Sequence, residues 1–362
     1  MQGSFDLFIS IATFVVALGI IIFFHELGHY LVAKLFNIKV EEFGLGFPPR
    51  MVRLFKFQET EFTLNWIPFG AFVRPIGEND PSVPGGLASA NPWQRLSVLI
   101  GGPFANLLVG ILIFALVFTQ TGVPDFGKIQ ITSTSPESPA AQSGLKPGDI
   151  VLRVNGTPIS SSQQLISIVN ANLGKEIIID VSRNNETISY KAIPRLKPPE
   201  GQGPLGISMA NPLRQVSIIS AIPYGFIITF EQIRMLLSVP GRLIQGTMRP
   251  EETRVVGPVG IFGYYQQARE RDLDSSSTQD QPAGFNQLWL LATISVALGM
   301  TNLLPIPALD GGRILFIIPE ILFRKRVPAR YENMVHFIGF AALLLLMIFI
   351  TTQDLMNPVT LP

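Results

Sequence analysis

The sequence contains no cysteine. Disulfides, thiolate nucleophiles and thiolate metal ligands are thereby excluded. Charged residues are few, 15% of 362, where soluble domains carry about 25%. Net charge is only +1, so there is no electrostatic footprint for a nucleic acid and no such partner is expected. Histidine occurs three times, which makes each placement informative. Apolar residues are what the chain has in quantity: 47% of the total, with a mean hydropathy of +0.37. The length exceeds one ordinary soluble core. Together these features imply a polytopic α-helical membrane protein.

Residues 6–24 are almost wholly apolar, and a membrane helix needs about 20 such residues. This run is not expected to be a cleavable signal peptide. It lacks a basic leading region and continues into His25 and Glu26 instead of a small-residue cleavage site. Further spans are expected near residues 97–119, 286–304 and 334–351, about four in all. Residues 216–246 are apolar as well but carry Glu231, Arg234 and Arg242. Charges within a span are costly, so an amphipathic helix lying at the interface or packed on the protein is expected there. Lys34, Lys39, Arg50, Arg53, Lys56, Arg74 and Arg95 follow the first span, and Arg324, Lys325, Arg326 and Arg330 lie between the last two. By the positive-inside tendency, residues 37–95 face the cytoplasm, and both termini lie outside an inner or plasma membrane.

The chain accordingly divides into a first membrane helix (1–36), a cytoplasmic membrane-associated β-rich loop (37–95) and a second membrane helix (96–120). An extracytoplasmic unit (121–197), a linker with an amphipathic region (198–284) and the last two membrane helices (285–362) complete it. In the loop, Phe43, Leu45 and Phe47, then Val52, Leu54 and Phe55, then Phe62, Leu64 and Trp66 suggest short strands broken by Gly and Pro. In the outer unit, Gly144, Gly148 and Gly156 suit turns with positive φ. Ile150, Leu152 and Val154, and again Ile177, Ile179 and Val181, alternate as strands around the helical spacing of residues 161–172. The stretch from Ser138 to Gly156 resembles a PDZ domain, an α+β unit inserted between membrane helices. Such domains bind peptides by adding a strand to a sheet edge, so a peptide ligand is a candidate partner. Residues 197–206, rich in Pro and Gly, are expected to be a linker, and residues 270–283 a mobile polar loop.

The strongest chemical signal is His25-Glu26-Leu27-Gly28-His29. On a helix, positions i and i+4 share a face, so both imidazoles can reach one zinc ion. Glu26 is then a candidate general base on the metal's water, and Gly28 leaves room beside the site. His and Glu at the end of a long apolar run are expensive unless used. A catalytic zinc usually has three protein ligands and one open position. Asp310 is the preferred third, because it ends an apolar helix, follows two prolines and precedes Gly311 and Gly312. A helix-capping role is the alternative for that carboxylate. His336 is expected to be a polar residue near an interface or packed between helices.

The pair His25–His29 and Asn302–Gly312 (NLLPIPALDGG), each in an apolar segment and separated by a PDZ-like unit, resembles the site-2 protease family. It is most similar to the bacterial regulator-of-sigma-E branch of intramembrane zinc metalloproteases. The resemblance covers nearly the whole chain, although that branch often carries two PDZ domains and one is read here. It implies a metalloendopeptidase with a Zn2+ cofactor held by His25, His29 and Asp310, and Glu26 as base. It also implies that Asn302, Pro305 and Pro307 help hold substrate and that Asn106, in Gly101–Asn106, assists near the site. Substrates would be single-span membrane proteins in the lipid bilayer, cut in regulated intramembrane proteolysis, such as a pre-trimmed anti-sigma factor or a signal-peptide remnant. An inactive membrane PDZ scaffold and a transporter are the rival readings.

Overall fold

The computed structural model describes residues 2–248, 254–278, 282 and 284–358. The apolar N-terminal run forms α1 (Gln2–Leu35), and Asn37, at φ 57°, ends it in the left-handed conformation that Asn tolerates. Two long strands follow, β1 (Val40–Phe57) and β2 (Thr60–Pro75). The short strands expected here are therefore continuous, and they fold back on one another. Residues 40–45 pair with 61–64 on one side and with 71–75 on the other, while 50–57 pair with 60–65. The result is a mixed sheet of four runs in the order 50–57, 60–65, 40–47, 71–75: the 60–65 and 40–47 runs lie parallel, the other two pairs antiparallel, and 71–75 forms one edge. Pro48 and Pro49, which cannot donate ladder bonds, stand where the first strand changes partners.

An aromatic cluster seats this sheet on α1. Phe23 and Tyr30, seven residues apart on one helix face, meet Phe43 at ring separations of 5.5 and 5.7 Å. Phe62 stacks on Phe43 at 5.4 Å. These rings bracket the His25–His29 turn, so burial of the sheet also sets the wall beside it.

The next apolar run is α2 (Pro92–Thr121). It approaches α1 at backbone distance: a Cβ on Gly28 would sit 2.2 Å from the Gly101 carbonyl oxygen. The room left by Gly28 is thus occupied by the neighbouring helix.

Residues Thr119–Ser217 form a separate compact unit. It contains β3 (Val123–Pro124), β4 (Ile129–Thr134), α3 (Pro139–Ser143), β5 (Ile150–Val154), β6 (Thr157–Pro158) and α4 (Ser162–Ala171). Then come β7 (Ile177–Arg183), β8 (Glu186–Ala192), β9 (Ile207–Ala210) and β10 (Leu213–Arg214). The main sheet runs β8-β7-β5-β4-β9. Ser138 and Ser161 cap the two helices with their side-chain oxygens. Gly144, Gly148 and Gly156 all have positive φ, as the turns require. The expected linker at 197–206 instead closes this unit. Leu205 is buried in its core, and β9 pairs with β4 directly after it. Proline and glycine there mark the approach to an edge strand and not a domain boundary.

Beyond it lie α5 (Ile218–Ile244), α6 (Pro258–Thr278), α7 (Phe285–Asn302), α8 (Asp310–Phe323) and α9 (Ala329–Met356). The segment expected as a mobile loop is helical through Thr278; residues 279–281 and 283 lie outside the described residues. Asp272 explains the difference. Its carboxylate accepts from the backbone and side-chain nitrogens of both Asn286 and Gln287, at 2.8–3.1 Å. It thereby satisfies the unpaired donors at the start of α7, and this tertiary anchor overrides weak helix propensity. Three described helices are long and apolar enough to cross a membrane: Phe5–Leu35, Pro92–Thr121 and Ala329–Met356. α7 and α5 are not among them.

Candidate active site

α1 presents His25, Glu26 and His29, and α8 begins with Asp310. The structure brings them together. His25 Nε2 and His29 Nε2 lie 3.2 and 3.4 Å from Asp310 Oδ2 and 3.2 Å from each other. All three side chains are largely buried.

The tautomers follow from the outer hydrogen bonds. His29 Nδ1 lies 2.8 Å from the Val98 carbonyl oxygen. A carbonyl only accepts, so Nδ1 carries the proton and Nε2 exposes a lone pair. His25 Nδ1 lies 3.2 Å from the Asn106 amide nitrogen, while Asn106 Oδ1 is buried with no partner among the described residues. The two ends of a carboxamide have nearly the same shape. Presented oxygen-first, Asn106 accepts from His25 Nδ1–H, and its orphaned acceptor is satisfied. Both Nε2 atoms then aim lone pairs at the place that a carboxylate oxygen also faces. Three converging acceptors without a proton between them fit a cation. Their separations match the edges of about 3.3 Å in a tetrahedron with zinc-type bonds of 2.0–2.1 Å. Among the described residues this is the group of three His, Cys, Asp or Glu suited to a metal ion.

The trio lies in a cleft of about 460 Å³ that also takes in Glu26, Asn302 and the outermost strand run, Ala71 to Val73 with Pro75. Asn302 lines this cleft and donates to the Leu298 carbonyl at 3.1 Å. Asn106 lies behind His25. Pro305 and Pro307 fall outside the cleft: Pro305 is exposed and Pro307 packs against Gly339 of α9. Glu78 and Arg313 pair across the cleft's lining, which sequence reasoning did not single out. Val98 escaped it too, since a backbone carbonyl leaves no trace in residue identity. His336 did leave a trace, as the last of three histidines.

The family profile of peptidase family M50 matches residues 13–346. This chain belongs to peptidase family M50. A putative zinc metalloprotease of Clostridium perfringens, CPE1693, is 33% identical over 95% of this chain and 97% of its own length. The zinc metalloprotease RasP of Geobacillus kaustophilus is 28% identical over 96% and 97% of the two chains. The regulator of sigma-W protease RasP of Bacillus subtilis is 26% identical over 96% and 98%. The PDZ domain of an SdrC-like protein from Listeria monocytogenes aligns with 23% of this chain and 88% of that one, at 20% identity and a TM-score of 0.21. As an M50 member, the protein is an integral-membrane zinc metalloendopeptidase with Zn2+ as its cofactor. The scaffold and transporter readings are set aside accordingly.

Proposed function

We propose that this M50 peptidase hydrolyses peptide bonds in the membrane segments of single-span proteins, as a step of regulated intramembrane proteolysis. Pre-trimmed anti-sigma factors and signal-peptide remnants are the substrate classes this favours, and the sigma-W link in the name of the Bacillus subtilis relative supports the first. The carrying observation is the triangle of His25 Nε2, His29 Nε2 and Asp310 Oδ2 at 3.2–3.4 Å, next to Glu26 in one cleft. In this reading His25, His29 and Asp310 hold the zinc. Bound there, zinc supplies Lewis acidity and lowers the pKa of a water toward about 7. The Glu26 carboxylate takes the proton of the attacking water as its oxygen bonds to the substrate carbonyl carbon. Glu26 then passes that proton to the amide nitrogen as the C–N bond breaks. Asn302 Nδ2 has two N–H groups and spends one on Leu298. The other is available to the substrate carbonyl oxygen.

A substrate helix has its carbonyls tied up in hydrogen bonds and must unwind to be cut. The outermost run 71–75 borders the cleft and offers an edge on which an unwound segment can pair as a further strand. In the PDZ-like unit, β9 is likewise outermost, and a small apolar groove lies between Leu165 and Val169 of α4 and Leu205, Ile207 and Met209. We read it as a peptide site that gates substrates. A fourth span at α7, with both termini and the PDZ-like unit outside, completes the proposed topology.

The test is cleavage of a single-span substrate by purified protein in detergent, wild type against Glu26→Gln, with zinc counted in both. The proposal expects about one zinc in each and cleavage only by wild type. A cleaving Glu26→Gln protein removes Glu26 from the base role.

A further inference from the structure

Asp310 opens α8, and the chain reaches it through an unusual turn. Ala308, two residues earlier, has φ 78°. That is the left-handed region, which side chains other than those of Gly and Asn rarely adopt. Gly311 and Gly312 press against the carbonyls of Leu303, Leu304 and Ile306, so the turn is tightly wound. Something outside the turn has to hold Ala308 there.

α9 supplies two contacts, and both fall on this turn. The Ala308 N–H donates to His336 Nδ1 at 2.9 Å. One turn further along the same face, Gly339 lets the α9 backbone come close: a Cβ there would lie 2.3 Å from Pro307 Cβ and 2.9 Å from its carbonyl carbon and oxygen. The imidazole also rests on the Phe316 ring of α8, centroids 5.6 Å apart. Its Nδ1 accepts, so the proton sits on Nε2, which is buried without a partner among the described residues. A packing role alone would be met at lower cost by an apolar side chain. What histidine adds is an acceptor aimed at one backbone N–H.

We propose that His336 is a positioning residue of the metal centre. By accepting from the Ala308 N–H it fixes the left-handed turn that delivers the Asp310 carboxylate to His25 and His29. His336 never touches the metal or the substrate; it acts through the backbone. The inference rests on Asp310 being the third ligand.

The test uses the full chain in detergent and compares His336→Asn, His336→Leu and Asp310→Ala with wild type. Asn places its Oδ1 near the position of His Nδ1 and keeps the acceptor; Leu fills the space without one. Zinc affinity is read by competition with a chromophoric chelator. Ligand geometry is read from the visible spectrum of the Co2+-loaded protein, and kcat and KM at saturating zinc. We expect His336→Leu to bind zinc 10–100-fold more weakly, as for outer partners of metal ligands generally, with an altered cobalt spectrum and a lowered kcat at unchanged KM. We expect His336→Asn to restore most of each. The proposal is overturned if His336→Leu keeps wild-type affinity and spectrum, or if Asn is no better than Leu. Should the Leu protein fail to fold, the Asn protein decides alone: a wild-type cobalt spectrum supports the acceptor role and a changed one refutes it. Asp310→Ala separates the two claims, since unchanged zinc affinity there removes Asp310 as a ligand whatever the His336 variants do.

Discussion

A methyl group placed on Gly102 should dismantle the proposed metal centre while leaving α2 a good helix. The Cβ of an alanine there would lie 2.3 Å from His29 Nε2 and 2.7 Å from Cδ2 and Cε1. Ordinary contact begins at about 3.5 Å, so the ring must retreat by about 1 Å. It cannot simply rotate away, because Nδ1 is tied to the Val98 carbonyl at 2.8 Å. Metal sites tolerate errors of about 0.2 Å in ligand distance. Zinc affinity should therefore fall by about 100-fold. With zinc forced in by excess, a displacement of about 1 Å should still lower kcat by about 100-fold. The stability ledger points elsewhere: Gly→Ala gains about 1 kcal/mol of helix propensity, against about 1–3 kcal/mol for overpacking. A fall of at most about 2 kcal/mol is expected, too little to explain loss of metal by unfolding. The assay is zinc content and affinity of purified Gly102→Ala, beside Gly19→Ala, whose Cβ meets nothing within 4 Å. Wild-type zinc affinity in Gly102→Ala would refute this account of how α2 bounds the site.

Val73→Pro removes the backbone N–H that the outermost strand run donates to the Glu26 carboxylate; kcat/KM for a membrane substrate should fall roughly 3–10-fold, one hydrogen bond's worth, with zinc content unchanged, and unaltered kinetics would exclude a role for that N–H in holding Glu26. In the Thr119–Ser217 unit, burial alone would raise the Asp149 pKa, but the Arg183 guanidinium at 2.6–2.7 Å and the Lys146 N–H at 2.9 Å hold it below the usual carboxylate range. A depressed carboxyl stabilises the fold above its unfolded pKa of about 3.9; hydrogen exchange of residues 119–217 should accelerate as pH drops below about 4, and Asp149→Asn, costing about 1.5–3 kcal/mol at pH 7, should flatten that dependence. Arg95, buried, and Glu320, partly buried, pair at 2.7 Å between α2 and α8, so Glu320→Ala should destabilise the detergent-solubilised protein by up to about 3 kcal/mol, read as a lowered Tm. The double replacement Arg95→Met, Glu320→Leu should recover most of it, and an unchanged Tm in the single variant would mean the pair is solvated.

The two halves of the candidate metal site differ in how visible they are in the sequence. His25, Glu26 and His29 are legible because a helix converts a spacing of four into one face. Asp310 is legible only through its cost, a carboxylate amid apolar residues; it opens α8, where the sequence suggested that it ends the preceding apolar helix. Its distance from the histidines is a tertiary fact. The same division runs through the fold. Alternation in residues 43–66 revealed strands but not that residues 40–45 pair on both sides, since register with a distant run leaves no local pattern. Residues 270–278 look like a loop because Ser and Asp favour non-helical backbone; Asp272's partners, Asn286 and Gln287, lie on the next helix. The Pro-Gly stretch before Leu205 looks like a linker for a related reason, as the strand it introduces is short and pairs with residues about 75 positions earlier. Gly28 and Gly102 show the limit most sharply: glycine announces a close approach without saying to what, and the answers are the α2 backbone and the His29 ring.

The order in which the chain is made gives the split metal centre a meaning of its own. Asp310 leaves the ribosome roughly 280 residues after His25 and His29. At about 5–20 residues per second, the growing chain spends roughly 15–55 s with the two histidines and the proposed base made but without the carboxylate proposed to complete the trio. With the proposed ligand set, a zinc peptidase of this layout becomes competent to cut only after α8 has been made. The distance in sequence between the two motifs thus becomes a delay in time between the first half of the proposed site and the second.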